Sequence, residues 1–418
     1  MGFIGVFLME GEIPTLDDIR KAQEYLKGKI NRTPLFYSST MSKTYSGNIH
    51  FKMENLQKTG SFKTRGAMYR ISNLTEEEKK RGVTTASAGN HAQGLAYSAM
   101  VNGIDAKIVM PEFATPAKAN AVLGYGAKVI LHGSDYAEAR EKADEIAQNE
   151  NRVFIEAFND PAIISGQATI GLEILEDLPD VDTIVVPVGG GGLIAGVALG
   201  AKYLKKDVRI IGVQSELSDS MRLSMLEGKL VPKVSYDSIA DGITVKYPGE
   251  LNLKVAMKYV DEVVTVTEEG IAKALFKLLE RNKTLVEPSG AAGFAAIMEG
   301  KVNVAGKNVA VILSGGNINF LLLSKIIFKS LENNSELVRI MCKIPDKPGT
   351  LQKISAAISG TGANIFHAEV DNLIQDTPIG FQSIMFTLSL RGQDHLSELL
   401  GKLREIGYKF DVLTSSDF

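Results

Sequence analysis

The chain is 418 residues long and 44% hydrophobic, enough for two or three packed domains, and its formal net charge is only −3. That balance lacks the basic excess of a nucleic-acid surface, so no partner of that class is expected. The single cysteine, Cys342, excludes an intrachain disulfide and makes the cytoplasm the expected compartment.

The opening GFIGVFLM (2–9) is apolar but too short to span a bilayer, and it runs into Glu10 and Glu12. It is expected to be a packed or disordered extension. No later stretch is long enough and free enough of charge for a membrane span, so no membrane partner is expected. From about residue 49, short β-rich runs alternate with helical segments. IHFKMEN (49–55) reads as strand and SFKTRGAMYRISNL (61–74) as helix; TTASA (84–88) reads as strand and HAQGLAYSAMV (91–101) as helix. AKIVMP, KVILHG and VFIEAF continue as strands, with helices around 116–123 and 136–150 between them. TIVVPVG, RIIGVQS, EVVTVT and VAVILSGG complete the series through 316. These runs are apolar without alternation, as strands buried on both faces are. The fold class is α/β, with two parallel or mixed open sheets flanked by helices.

The polar LENNSEL (331–337) breaks this pattern, and a boundary is expected near 333. Beyond it, LVRIMCKI, TLQKISAAIS, ANIFHAEVD, IMFTLSL, LSELLGKLREIG and KFDVLT read in the order βαββαβ, a ferredoxin-like α+β unit. The expected domains are 1–332 and 333–418. Within the first, a small subdomain of about 55–155 is inserted in a larger one made of 10–54 and 156–325.

Four strand-to-helix turns carry the chemistry. In KTGSFKTRGA (58–67), Lys63 stands where a helix begins, with Ser61 placed to cap it. A P-loop would need glycine at the positions held by Phe62 and Gln57, so that reading fails. A solvated lysine and a nucleophile remain open. The helix dipole and burial both lower a lysine's pKa, which frees the neutral amine that Schiff-base chemistry needs. Lys58, Arg65 and Arg70 read as solvated or structural charges. VPVGGGGLIAG (186–196) runs a strand through four glycines into a helix, a nest of N–H groups suited to phosphate. Its match to the dinucleotide pattern, Gly190-x-Gly192-x-x-Ala195, is loose and has no acidic partner on the next strand. SAGNHAQG (87–94) opens another helix with N–H groups suited to a carboxylate; His91 reads most simply as structural. LSGGN (313–317) places a serine at the carboxyl end of a buried strand.

Together these motifs, over about 13–325, resemble the fold-type II, tryptophan-synthase-β-like pyridoxal-phosphate enzymes, and most closely the threonine/serine dehydratases. The resemblance implies pyridoxal phosphate as cofactor and Lys63 as its Schiff-base lysine and catalytic base. Phe62 would pack on the ring and Asn90 would bond its phenolic oxygen. Gly189, Gly190, Gly191, Gly192 and Leu193 would hold the phosphate, and Ser314 would face the pyridine nitrogen. Gly242 and Glu287 fall where the family lines the cofactor pocket. Ser87, Ala88, Gly89, Asn90 and His91 would bind the substrate carboxylate. The activity implied is deamination of L-threonine to 2-oxobutanoate and of L-serine to pyruvate. The alternatives are a serine dehydratase or serine-racemase-type enzyme and a catalytically silent amino-acid sensor. Racemases of this kind carry serine where this chain has Ala88, and metal ligands at places matching Gln214, Ser218 and Ser220. No metal is expected, although Glu216 and Asp219 lie near enough to leave a cation open.

IPDKPGTLQKISAAISGTGANI (344–365) resembles the ACT domain, a small-molecule sensor of amino-acid enzymes. The resemblance implies an amino-acid effector, isoleucine or valine, at Gly349, Thr350, Leu351, Asn364 and Ile365. It also implies edge-to-edge pairing, within a homodimer or homotetramer. A plain dimerisation module is the alternative.

Overall fold

The computed structural model describes residues 13–233, 237–371 and 377–413. The apolar start at 1–9 and the last residue of KFDVLT lie outside them. The chain divides between Ile318 and Asn319 into two compact units. The polar LENNSEL falls where the helix Phe320–Asn333 ends, inside the second unit.

The first unit has strands β1 (Leu35–Tyr37), β2 (Asn48–Lys52), β3 (Val83–Ala86), β4 (Ala106–Met110), β5 (Lys128–Leu131), β6 (Val153–Phe154), β7 (Thr183–Pro187), β8 (Arg209–Ser215), β9 (Glu262–Val266) and β10 (Asn308–Ile312). Among the described residues they form a six-stranded sheet, β1-β2-β10-β7-β8-β9, and a four-stranded one, β5-β4-β3-β6. Every pairing is parallel except β1 with β2, as buried runs such as Ile184, Val185 and Val186 predict. The sheet order sets the site. β2, β10 and β7 are neighbours, so the segments leaving their carboxyl ends converge. These are the Lys63 turn, the Ser314 turn and the glycine run. The turn at 87–90 leaves β3 of the other sheet.

The helix Lys63–Ser72 is fixed by close packing on the helix Pro161–Asp177. A Cβ on Gly66 would lie 2.8 Å from the Ile163 carbonyl, and one on Gly166 would lie 2.6 Å from the Gly66 Cα. Glycine at both positions lets the backbones touch. Asp160 caps the longer helix, its Oδ1 accepting from the Ala162 and Ile163 amides at 2.7 and 3.1 Å. Its other oxygen takes the Arg70 Nε at 2.8 Å, so Arg70 is a structural charge.

In the second unit β11 (Leu337–Pro345), β12 (Asn364–Asp371), β13 (Phe381–Ser389) and β14 (Asp411–Leu413) pair antiparallel in the order β12-β13-β11-β14. Helices Thr350–Gly360 and Gln393–Glu405 supply Ile354, Ile358, Leu399 and Leu403 to a core shared with Ile340, Ile344, Phe386 and Leu388. The chain order is the predicted βαββαβ.

Two local expectations fail. Ser61 does not cap its helix, which begins at Lys63 after Phe62 with no side-chain cap. Ser61 instead bridges antiparallel to Gly315, which turns it away from the helix end. VFIEAF forms only the two-residue strand β6, which among the described residues pairs with β3 alone before the chain leaves the sheet toward the site.

Candidate active site

Lys63 occupies the first position of its helix and is half-buried. Its Nζ donates to the Ala157 carbonyl at 2.7 Å and lies between the rings of Phe62 and Phe158, at 5.3 and 5.9 Å from their centroids. Burial lowers its pKa to about 8. Phe158, which no sequence pattern singles out, also packs on the glycine run. A Cβ on Gly190 would lie 2.6 Å from its ring and one on Gly192 would lie 2.9 Å from its Cβ.

The glycine run turns at Gly191, whose φ of 93° is a left-handed conformation that favours glycine. A Cβ on Gly189 would lie 2.9 Å from the Ile243 Cα. The Gly190 carbonyl is tied to the Asn252 Nδ2 at 2.8 Å and to the Gly249 amide at 2.9 Å. Among the described residues the amides of Gly189, Gly190 and Gly191 donate to no protein acceptor. Those of Gly192 and Leu193 open a helix, where backbone donors have no intrahelical partner.

Ser314 is buried, and its carbonyl accepts from the Phe62 amide at 3.1 Å. Asn90 starts the helix Asn90–Val101. Its Nδ2 donates to Glu287 Oε1 at 2.7 Å, and its Oδ1 accepts from Asn317 Nδ2 at 2.7 Å. Burial and the nearby Asp241 charge push the Glu287 carboxyl up to about 7. A Cβ on Gly242 would lie 2.7 Å from the Ser289 hydroxyl. Lys118 of the smaller sheet's layer pairs with Asp241 at 2.9 Å beside this group.

Ser87, Ala88, Gly89 and Asn90 are half-buried, and Gly89 borders open space at the helix start. The Ser87 hydroxyl accepts from the Gly89 amide at 3.2 Å. His91 is buried against the Ile155 carbonyl at 3.2 Å. Burial, helped by the Lys63 charge, drops its pKa to about 3, so it stays neutral and structural. Asp219 carries ion pairs from Arg222 and, at 2.9 Å, Lys233. Gln214 bonds Ser218 and Arg222, and Glu216 is exposed. In the other unit, Gly349 precedes the helix Thr350–Gly360 with φ 87° and no side-chain cap, while Asn364 and Ile365 start β12.

The residues fit a phosphorylated aromatic aldehyde. They offer an amine whose pKa is lowered, free amides to meet a dianion and an uncharged hydroxyl. The buried Ser61 Oγ and Ser289 Oγ nearby have no hydrogen-bond partner among the described residues. Residues that the sequence did not point to are Ala157, Phe158, Asn252 and Asn317. Only Asn317, at the end of LSGGN, had a local signal.

Residues 26–315 match the family described as pyridoxal-phosphate dependent enzyme. An L-threonine ammonia-lyase of Thermotoga maritima is 46% identical over 399 residues, covering 96% of this chain and 99% of that protein. A catabolic L-threonine dehydratase of Escherichia coli K12 is 43% identical over 74% of this chain and 95% of its own. Among solved structures, the processed form of threonine deaminase isoform 2 from Solanum lycopersicum superposes with TM-score 0.70 at 35% identity, over 76% of this chain and 94% of its own. Maize serine racemase superposes with TM-score 0.72 at 36% identity, over 78% of this chain and 100% of its own.

Proposed function

The chain belongs to the pyridoxal-phosphate dependent enzyme family, with pyridoxal phosphate as its cofactor, and on that premise we propose that it deaminates L-threonine to 2-oxobutanoate and ammonia, and L-serine to pyruvate. The observation that carries this is the convergence of the Lys63 amine, the free glycine amides and the Ser314 turn at neighbouring strand ends. When bound, the cofactor supplies an electron sink for the bond between a substrate's Cα and its hydrogen. Lys63 is the base that takes that hydrogen at Nζ. The open helix start at Ser87–His91 holds the substrate carboxylate, with Gly89 leaving room for it. Ser314 would offer its hydroxyl to the ring nitrogen, which does not force a proton onto it as a carboxylate would. An uncharged partner at 314 would thus favour loss of the β-hydroxyl over return of the proton. Ala88 offers no proton to the opposite face, which argues against racemisation.

Purified full-length protein given L-threonine should release 2-oxobutanoate and ammonia in equal amounts, with L-serine giving pyruvate. A yellow protein that forms ketoacid from neither substrate would refute the reading. The pKa of Lys63 gives a second expectation. Only the neutral amine captures an aldehyde, and its share rises with pH through about 8 rather than through the ordinary lysine range near 10.5. The rate at which cofactor-free protein takes up pyridoxal phosphate should therefore climb between roughly pH 7 and 9 and level off above. A rate still climbing steeply beyond about pH 10 would contradict the low pKa.

We propose further that the second unit is an ACT-type sensor binding isoleucine or valine at Gly349, Thr350, Leu351, Asn364 and Ile365. Its βαββαβ order supports this, as does a helix start with no side-chain cap. Full-length protein whose ketoacid formation responds to neither amino acid would sink the proposal.

A further inference from the structure

We propose that Asn317 is a positioning residue: with Glu287 it sets the orientation of the Asn90 amide, so that Asn90 turns an N–H rather than its carbonyl toward the cofactor's ring oxygen. The proposal rests on the cofactor reading above. The two ends of an asparagine amide have nearly the same shape, and only hydrogen-bond partners choose between them. A ring phenolate needs a donor, so the choice matters.

The partners are explicit. Asn317 Nδ2 donates to Asn90 Oδ1 at 2.7 Å and to the Thr59 carbonyl at 2.8 Å. Asn90 Nδ2 donates to Glu287 Oε1 at 2.7 Å. The Asn317 main-chain N–H also faces the Glu287 carboxyl and favours its ionised form, so the three residues form one cluster. Glu287 is tied to the serine turn through its own amide, which donates to the Gly315 carbonyl at 2.9 Å. With Glu287 ionised, reversing Asn90 would set its carbonyl against the Glu287 oxygen and its NH₂ against the Asn317 NH₂, losing both bonds inside a half-buried pocket. In the observed orientation one Asn90 Nδ2 hydrogen is used and the second is left for a ligand. Gly60 packs against the Asn317 amide with φ 72° and no room for a side chain, since a Cβ there would lie 2.7 Å from Asn317 Oδ1. Through the Thr59 carbonyl this cluster joins the segments that follow β2, β3 and β10, so Asn317 ties Asn90 to the Lys63 turn.

The test uses the full chain loaded with pyridoxal phosphate and read by absorbance, which needs no turnover. A donor to the ring oxygen favours the visible-absorbing form over the near-ultraviolet one. Asn317→Ala should move intensity from the visible to the near-ultraviolet band and weaken cofactor binding about tenfold. Asn90→Ala should do the same, and the double variant should be no worse than Asn90→Ala alone, because Asn317 acts through Asn90. An unchanged spectrum in Asn317→Ala, or losses that add in the double variant, overturns the proposal. Should Asn317→Ala not fold, Glu287→Leu, which removes the acceptor of the Asn90 N–H, reads the same orientation from its other end. It should shift the bands in the same direction, and no shift overturns the proposal. A wild-type protein that is yellow but inactive on threonine and serine sinks the substrate reading and leaves this one standing. A wild-type protein that takes up no cofactor overturns both.

Discussion

Lys63→Ala is expected to lose the visible absorbance of the loaded protein and to lower ketoacid formation by roughly four orders of magnitude or more. On the proposed reading it removes the cofactor's covalent anchor and the Cα base together. The control that separates chemistry from charge is Lys63→Arg. A guanidinium keeps the positive charge beside the Ala157 carbonyl but stays protonated in proteins, so it serves as neither nucleophile nor base. Both variants should be equally inactive. A Lys63→Arg protein that retained turnover would mean that Lys63 acts only as a cation. The surroundings favour the amine role, because the nearest groups are a carbonyl, two aromatic rings and the positive end of a helix. None of these is an anion that would hold the proton on.

What could be read from the chain follows from where its information is local. Buried parallel strands announce themselves as apolar runs, so RIIGVQS at 209–215 matches β8 residue for residue. Each chemical motif sits at a strand end and keeps its residues within one turn, so Lys63, Asn90, the glycine run and Ser314 were all visible. Two kinds of feature were not. One depends on partners far apart in sequence. Asn317 meets Asn90 across 227 residues, and neither neighbourhood says so. Phe158 and Ala157 reach the site only because β6 stops after two residues, which the competing apolar pattern VFIEAF conceals. The other kind is set by packing that overrides a local rule. Ser61 is a good capping residue in the right place, but its bridge to Gly315 claims its backbone. Arg65 belongs here too, since nothing in KTRGA separates a solvated arginine from a buried one.

Arg65 leads to the largest expected change in stability. It is fully buried two residues after Lys63, on the inward side of the same helix. Its guanidinium bonds both oxygens of Glu54 at 2.8 Å, both oxygens of Glu173 at 2.7 and 2.8 Å, and the Thr169 hydroxyl at 3.0 Å. Lys52 on β2 completes the cluster, bonding Glu173 at 2.6 Å. Two buried cations thus balance two buried carboxylates. Burial opposes ionisation of both Arg65 and Glu173, but the paired charges outweigh it, leaving the Arg65 pKa raised and the Glu173 pKa lowered. Arg65→Met would leave two carboxylates facing Lys52 alone, at a cost of about 3–5 kcal/mol. The melting temperature of cofactor-free protein should fall on the order of ten degrees. The helix that aims Lys63 loses its inner tether in the same step, so cofactor uptake should weaken as well. Charge balance rather than the bonds themselves sets this cost. Arg65→Met combined with Glu54→Leu removes one charge of each sign and leaves the Lys52–Glu173 pair whole. That double variant should recover more than half of the lost stability despite deleting more hydrogen bonds. A double variant less stable than Arg65→Met would show instead that the cluster holds the fold through its bonds.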